Sequence, residues 1–416
     1  MQVLGAKDFR FKEGRKMQRP DLRKNPFVKD KHRPEVFVGA GKGPYENTRS
    51  ALRHIDLSPA RNKRVLLKPN AGHLARAGEA VTTDPRVVAA VIDTFRDAGA
   101  DIAIGESPIV GVNTQEAFET CGIAQIARQR GCPLIDMNER PAVDIAVPEG
   151  IAVKTLKVCP EVLEYDLIIS IPVMKMHMHT GVTLSIKNMK GCLWRRSKVK
   201  FHMLSPVEGY REKPINLAIS DMAGVLRPHL AVIDGTVGMQ GLGPSAGEPR
   251  PLGVIVVGSD PFAADAVACR LMGTDAKDIP HLSIGAQRGY GIIDLGKIRI
   301  HPGDWENRAL EFDPPPKNLS IDFPRVRILD DNSCSACQST LLLLLKRHGE
   351  QLFRYFPEGH ILNIAIGKGH HDLPPGTLCI GNCTVRHRDR GIFVKGCPPV
   401  GSEILNTVST TRRERP

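Results

Sequence analysis

Five cysteines crowd the last quarter of the chain: Cys334-x2-Cys337, a gap of 41 residues, Cys379-x3-Cys383, 13 more, then Cys397-Pro398-Pro399. A CxxC turn brings two thiolates close enough to share one metal or one face of a cluster. A second pair from a distant turn completes a four-ligand set, which suits zinc or iron–sulfur. Three features favour a [4Fe–4S] cluster: proline after the last cysteine, glycines in Gly381-Asn382-Cys383 and Gly396-Cys397 that let backbone N–H groups approach sulfur, and the irregular spacing of five thiols. Zinc is the alternative. The candidate metal ligands are Cys334, Cys337, Cys379, Cys383 and Cys397; the preferred cluster set is Cys334, Cys337, Cys383 and Cys397, with Cys379 the spare. His370-His371 reads better as part of a polar loop than as a ligand pair. Cys121, Cys132, Cys159, Cys192 and Cys269 are scattered among apolar segments and read as small buried hydrophobes.

A second group of reactive types lies mid-chain. Lys175, His177 and His179 alternate in Pro172-Val173-Met174-Lys175-Met176-His177-Met178-His179-Thr180, so an extended chain points all three to one side. Lys187-Asn188-Met189-Lys190-Gly191 follows, then Trp194-Arg195-Arg196, Lys198, Lys200 and His202. Cations beyond the C-terminal end of a strand suit a carboxylate or phosphate, and histidine can move a proton near neutral pH. Lys175, His177, His179, Lys187 and Asn188 are therefore the candidate catalytic residues. Lys68-Pro69-Asn70 and the start of a helix at Thr82-Thr83-Asp84-Pro85 are expected to join them. The glycine-rich stretch Asp234 to Pro244 reads as a loop able to wrap an anion, but no helix follows its glycines, so a dinucleotide site is not expected.

The elements that must position these groups alternate between short apolar strands and helices. Strands are expected at residues 35–39, 64–70, 100–105, 163–171, 231–234 and 252–257, with helices at 86–98, 115–121 and 262–272, the first and last of these capped by Asp84-Pro85 and Asp260-Pro261. That order predicts an α/β fold with a mostly parallel sheet and flanking helices. A proline-rich break at Asp313-Pro314-Pro315-Pro316 separates it from a small C-terminal cysteine-cluster domain, expected over 320–408, with a helix at 341–346 and a strand at 362–367. The α/β domain is expected over 36–315, after a basic, partly disordered leader, 1–35.

The 416 residues are 41% hydrophobic and 25% charged, as in a globular chain of two or three domains. No apolar run reaches the roughly 18 residues of a membrane span, and the N-terminus turns charged at once, so no signal peptide and a cytoplasmic location are expected. Net charge is +12, half of it from the leader, where eleven basic residues face five acidic ones. Only 5% of residues are aromatic, without the basic–aromatic interleaving that stacks bases. Nucleic acid is thus the weaker partner class and a small anionic substrate the stronger.

The run MKMHMHTGVTLSIKNMKG, preceded by KPN and followed by DGTVGMQGLGP and GSDPFAADAVACRLMG, resembles the domain of unknown function 362 family over roughly residues 36–300. By this resemblance Lys175, His177, His179, Lys187 and Asn188 fall on the family's motif positions, and the C-terminal GNC and KGCPP elements look like the iron–sulfur cysteines many members carry. There is no double CxxCxxC segment, so a two-cluster electron wire is not implied. The resemblance assigns no reaction. The leading expectation is an iron–sulfur redox protein, an oxidoreductase if it turns over, whose α/β domain binds a small anionic substrate. Its alternatives are a non-catalytic electron-transfer protein with a ferredoxin-type partner, and a zinc-containing nucleic-acid-associated protein.

Overall fold

The computed structural model describes residues 24–315 and 323–413. In chain order the first half contains β1 (Glu35–Ala40), α1 (Pro44–Leu52), β2 (Arg64–Pro69), α2 (Pro85–Asp97), β3 (Asp101–Glu106), α3 (Thr114–Thr120), α4 (Ile123–Gln129), β4 (Leu134–Asp136), β5 (Val143–Ala146), β6 (Thr155–Val158), β7 (Leu167–Ile171), β8 (Val173–His177) and β9 (Gly181–Thr183). Then come α5 (Ser185–Asn188), α6 (Ser197–Lys200), α7 (Pro214–Val225), β10 (Leu230–Gln240), β11 (Glu248–Gly258), α8 (Pro261–Leu271), α9 (Pro280–Gln287) and β12 (Arg299–His301). The C-terminal part holds β13 (Val326–Asp330), α10 (Ser335–Phe353), β14 (Leu362–Ile366), β15 (Thr377–Ile380), β16 (Gly391–Val394) and α11 (Gly401–Arg413).

The larger sheet runs β12-β1-β11-β10-β7-β2-β3-β4, with β8 and β9 branching from β10. Its β10-β7-β2-β3-β4 stretch is parallel, and β11 pairs antiparallel with both β10 and β1. Along β2, Val65 and Leu67 enter one apolar layer and Leu66 the other, as the period of two requires. One layer packs α2 through Val87, Val88, Val91, Ile92 and Phe95; the other packs α7 and α8. The result is the expected α/β architecture, a mostly parallel sheet with helices on both faces.

Local signals set the helix starts. The Asp84 and Asp260 carboxylates accept the backbone N–H groups of Arg86 and of Phe262 and Ala263, each with proline at the next position. Gly99 ends the turn after α2 with φ +81°.

Two stretches differ from the sequence reading. Residues 234–240 are not loop but the outer half of β10, extended by its hairpin with β11, and only Gly241 to Ala246 turn. The first 23 residues of the expected leader lie outside the described residues. Its remainder is docked: Phe27 is buried, and the Asn25 amide donates to the carbonyls of His229 and Ser259.

Beyond the proline break, a second sheet of order β13-β14-β15-β16 is parallel throughout. Leu341, Leu344, Leu345 and Leu352 of α10 cover it together with Ile404 and Val408 of α11. Because all four strands run the same way, the segments leaving β13, β15 and β16 emerge on one edge. Those segments carry Cys334 and Cys337, Cys383, and Cys397.

Candidate functional site

Lys68 is the last residue but one of β2 and Glu106 the last of β3, neighbouring parallel strands, so both reach the carboxyl edge of the larger sheet, where ligands of open α/β sheets bind. Lys68 Nζ donates to Glu106 Oε2 at 2.8 Å and to the Pro69 carbonyl at 2.7 Å. Glu106 also accepts the backbone N–H groups of Ala71 and Ser107. Asn188 braces this floor: its amide donates to Lys68 O (2.8 Å) and Ser170 Oγ (3.0 Å), and its Oδ1 accepts from Asn70 at 2.6 Å. Both the amide N–H₂ and the Oδ1 of Asn188 are thus held by the protein.

Above the floor is a cavity of about 310 Å³. Lys175 and His177 of β8 line it, with Lys187 and Asn188 of α5 and Lys190, Lys198 and His202 beyond. β8 ends at His177, so the alternation delivers only two of its three residues to the wall; His179 lies in the following turn, its ring 5.8 Å from that of His177. His179 Nε2 instead pairs with Ser339 Oγ of α10 at 3.2 Å.

Burial governs the ionisation of these groups. It pulls the Lys175 ammonium down from 10.5 to about 7, against the charge of Glu106 and helped by that of Lys68. Burial and the neighbouring Lys190 and Lys175 push Lys187 well below the usual lysine range, and burial with Lys190 does the same for the His202 imidazole relative to histidine. Lys198 falls to about 8 through burial. Burial thus favours the neutral form of these lysines, and an anion beside them favours the charged form.

Asp265 reaches the site indirectly. Rather than capping its own helix, its carboxylate accepts Ser185 N–H (2.8 Å), Ser185 O–H (2.6 Å) and Ile186 N–H (3.1 Å), pinning the start of α5 and hence Lys187. The Thr82–Pro85 start of α2 is not open to a ligand: Asp84 caps it, and Asp84 N–H donates to Asp234. Glu106 escaped the sequence reading, although a carboxylate closing the third strand at the ligand-binding edge is a signal that could have found it.

Chain neighbours of two of the cysteines, Ala336 and Pro398, line the cavity. Cys334 precedes α10 and Cys337 lies in its first turn; a hydrogen bond between them, with backbone N–H groups of that turn, lowers the Cys334 thiol to about 6. The Cys337 thiol is raised by that bond, by burial and by the charges of Cys334, Cys383 and Cys397. Burial, then Cys334 and Cys383, raise Cys397. Two hydrogen bonds tie the Cys383 and Cys397 loops together, Asn382 N–H to Gly396 O and Gly396 N–H to Asn382 Oδ1. A Cβ on Gly381, at φ +93°, would sit 3.5 Å from Cys337 Sγ.

Cys379 is elsewhere. It is fully buried on β15, packed with Ala365 and Leu373, and its thiol donates to backbone carbonyls. His370 is likewise inward, bonded to Ile366 O. Among the described residues, no three His, Cys, Asp or Glu side chains stand as a ready metal-ligand group. Within Trp194–Lys200, Lys198 is buried, Arg195 stacks on Trp194 and Arg196 donates to Cys397 O at 2.7 Å, while Arg195, Arg196 and Lys200 are exposed.

The two sites share a wall. Ala336, Ser339, Thr340 and Leu343 of α10 line the cavity, as does Pro398, next to Cys397. Lys346 and Arg347 fasten the helix to the Ala246 and Ser245 carbonyls.

Comparison with known proteins bears on the part of the chain that builds the cavity floor. Residues 65–270 match the DUF362 family, a domain of unknown function. The matched segment contains Lys68, Glu106, Lys175, His177, His179, Lys187 and Asn188, in keeping with the resemblance carried by the sequence motifs; the cysteines lie outside it. Over 274 residues the chain is 29% identical to a thylakoid-associated protein of Synechocystis sp., covering 64% of this chain and 80% of that one. Solved structures similar to it include the lactate racemase apoprotein from Thermoanaerobacterium thermosaccharolyticum (TM-score 0.37, 13% identity, 58% of each chain) and a protein from Thermotoga maritima (TM-score 0.33, 14% identity, 60% of each chain). The chain thus spans less than two thirds of either structure's length. Among the described residues no helix is long and apolar enough to cross a membrane.

Proposed function

We propose that this chain is an iron–sulfur protein whose DUF362 segment binds a small anionic substrate beneath a four-cysteine centre. The observation that carries the reading is the shared wall: the turn of α10 that bears Cys334 and Cys337 also roofs a cavity floored by lysines. Four thiolates are the donor type that a [4Fe–4S] cluster takes, and this reading assigns them to one. The segments that follow three strands of one parallel sheet carry Cys334 and Cys337, Cys383, and Cys397, which supports the reading. When bound, the cluster would supply one-electron chemistry or an open iron. Zinc on the same thiols would make the centre structural.

The chain's own residues do the rest. Lys187 and Lys175 receive the anion, and His177 and His202 hold or move a proton at the bound group. Lys68, Glu106, Asn188 and Asp265 keep that face in place. A second reading follows from exposure. Cys383 is exposed, which suits electron exchange with a ferredoxin-type partner without turnover in the cavity. The cytoplasm is the location this reading assumes, to be checked by cell fractionation against the membrane association named for the Synechocystis relative.

The test is iron and acid-labile sulfide analysis of anaerobically purified protein. About four irons per chain are expected, lost in Cys383→Ser and kept in Cys379→Ser. One zinc without iron, or iron that survives Cys383→Ser, overturns the assignment. An oxidation-state change on adding substrate separates enzyme from carrier.

A further inference from the structure

The cavity's charges do not balance. Glu106 is the carboxylate in its wall, and it is already engaged by Lys68 Nζ and the N–H groups of Ala71 and Ser107. Four further lysines line the same space, and among the described residues none forms an ion pair. Lys175 Nζ donates to Val81 O at 2.8 Å, Lys187 Nζ to Thr183 Oγ1 at 3.0 Å, and Lys198 Nζ to Leu193 O at 2.8 Å. Lys190 Nζ meets His202 Nε2. Each amine's hydrogen-bond partner is neutral, and Glu106 is the carboxylate whose charge reaches Lys175 and Lys198. A single carboxylate could neutralise one of them.

No arginine lines the cavity, so recognition is by point charges from several directions rather than by one planar fork. At about 310 Å³ the space is at the small end for ligand sites. We propose, building on the anionic site described above, that the ligand is a compact molecule bearing two or more negative charges, such as a phosphorylated or polycarboxylic acid, held jointly by Lys175, Lys187, Lys190 and Lys198.

The ionisation of the wall supplies a distinctive readout. Lys175 and Lys190, lowered to about 7, and Lys198, lowered to about 8, are largely or half neutral at pH 8. A polyanion restores their charge, so binding takes up protons at pH 8 and takes up fewer at pH 6. Of the other titratable groups facing this space, Lys68 and Glu106 are paired, His177 and His202 are lowered by burial and the lysine charges, and His73 is lowered to about 3 by burial and the charges of Lys175 and Arg347. His281, behind Lys187, is held neutral by burial at about 3.

The experiment is titration calorimetry of the full chain with pyrophosphate, citrate and acetate, in buffers of different ionisation enthalpy. Pyrophosphate or citrate should bind at least about ten-fold more tightly than acetate, a step equal to one pKa unit. Net proton uptake should be seen at pH 8 and should shrink at pH 6, because burial lowers Lys175, Lys190 and Lys198. Lys187→Met and Lys190→Met, near in volume to the originals, should each weaken the polyanion and reduce the uptake, with unfolding curves showing that both variants fold. Preference for citrate over pyrophosphate, or the reverse, identifies the anionic group; either supports the proposal. Acetate binding as tightly as the polyanions, without proton uptake, overturns it while leaving the anionic site intact. Binding of none of the three overturns both.

Discussion

Lys68 Nζ lies 2.8 Å from Glu106 Oε2, and the two side chains are 1% and 3% exposed. Breaking such a pair leaves a charge in the interior, whereas replacing both partners with apolar groups removes the problem. Glu106→Gln should therefore cost about 3–5 kcal/mol of unfolding free energy. Urea denaturation measures it, and Lys68→Met combined with Glu106→Gln should recover most of the loss. A cost below about 1 kcal/mol, the range of exposed pairs, would mean that the pair is well solvated in solution.

Gly191 packs closely against that pair. A Cβ there would stand 2.5 Å from Lys68 Cε, 2.6 Å from Nζ and 2.8 Å from Glu106 Oε1. Since Lys68 is locked by its partners, the added methyl has to displace them. Gly191→Ala should cost about 1–3 kcal/mol as an overpacking change, and it should weaken anion binding, because the floor of the cavity shifts. Calorimetry and melting curves on one preparation separate the two effects; unchanged binding in a destabilised variant would show that the floor does not set the ligand's position.

Much of this site was legible because its elements obey local rules. Apolar runs closed by Lys68-Pro69-Asn70, and aspartates before proline at 84 and 260, mark strands and helices from neighbouring residues alone. The fold class follows from their alternation, and the family match over residues 65–270 covers the same motifs. What could not be read depends on long-range packing. Asp265 works 80 residues away on Ser185, and Ser339 meets His179 from 160 residues away. Residues 234–240 looked like an anion loop because of their glycines, yet hairpin pairing with β11 makes them strand. For Cys379 and Cys383, spacing gives no means to tell an inward strand residue from an exposed one; burial on β15 does.

Asp265 gives a stability dependence on pH with a definite sign. Burial raises its carboxyl from 3.8 to about 7, against the Ser185 and Ile186 hydrogen bonds. Between those values the folded chain binds a proton that the unfolded chain has released. The contribution of this group to stability is therefore present below pH 4, falls as pH rises to about 7, and is level above. Asp265→Asn should remove that slope, at the cost of an acceptor for Ile186 N–H. Melting temperatures of both proteins from pH 4 to 8 test it: equal slopes would place the titration on another group.

Lys175 carries the opposite sign. Burial lowers its ammonium from 10.5 to about 7, so between those values the unfolded chain binds the proton that the folded chain lacks. Stability at this residue is lost below about 7 and recovered as pH rises toward 10.5. Lys175→Met keeps the apolar stem, needs no proton and gives up only the hydrogen bond to Val81 O. The variant should thus melt at a higher temperature than the parent at neutral pH, with the advantage shrinking toward pH 10. It should also bind pyrophosphate or citrate at least about ten-fold more weakly, the trade expected of a strained functional group. A variant that is both less stable at pH 7 and equally good at binding would show that Lys175 serves the fold through Val81 and not the cavity.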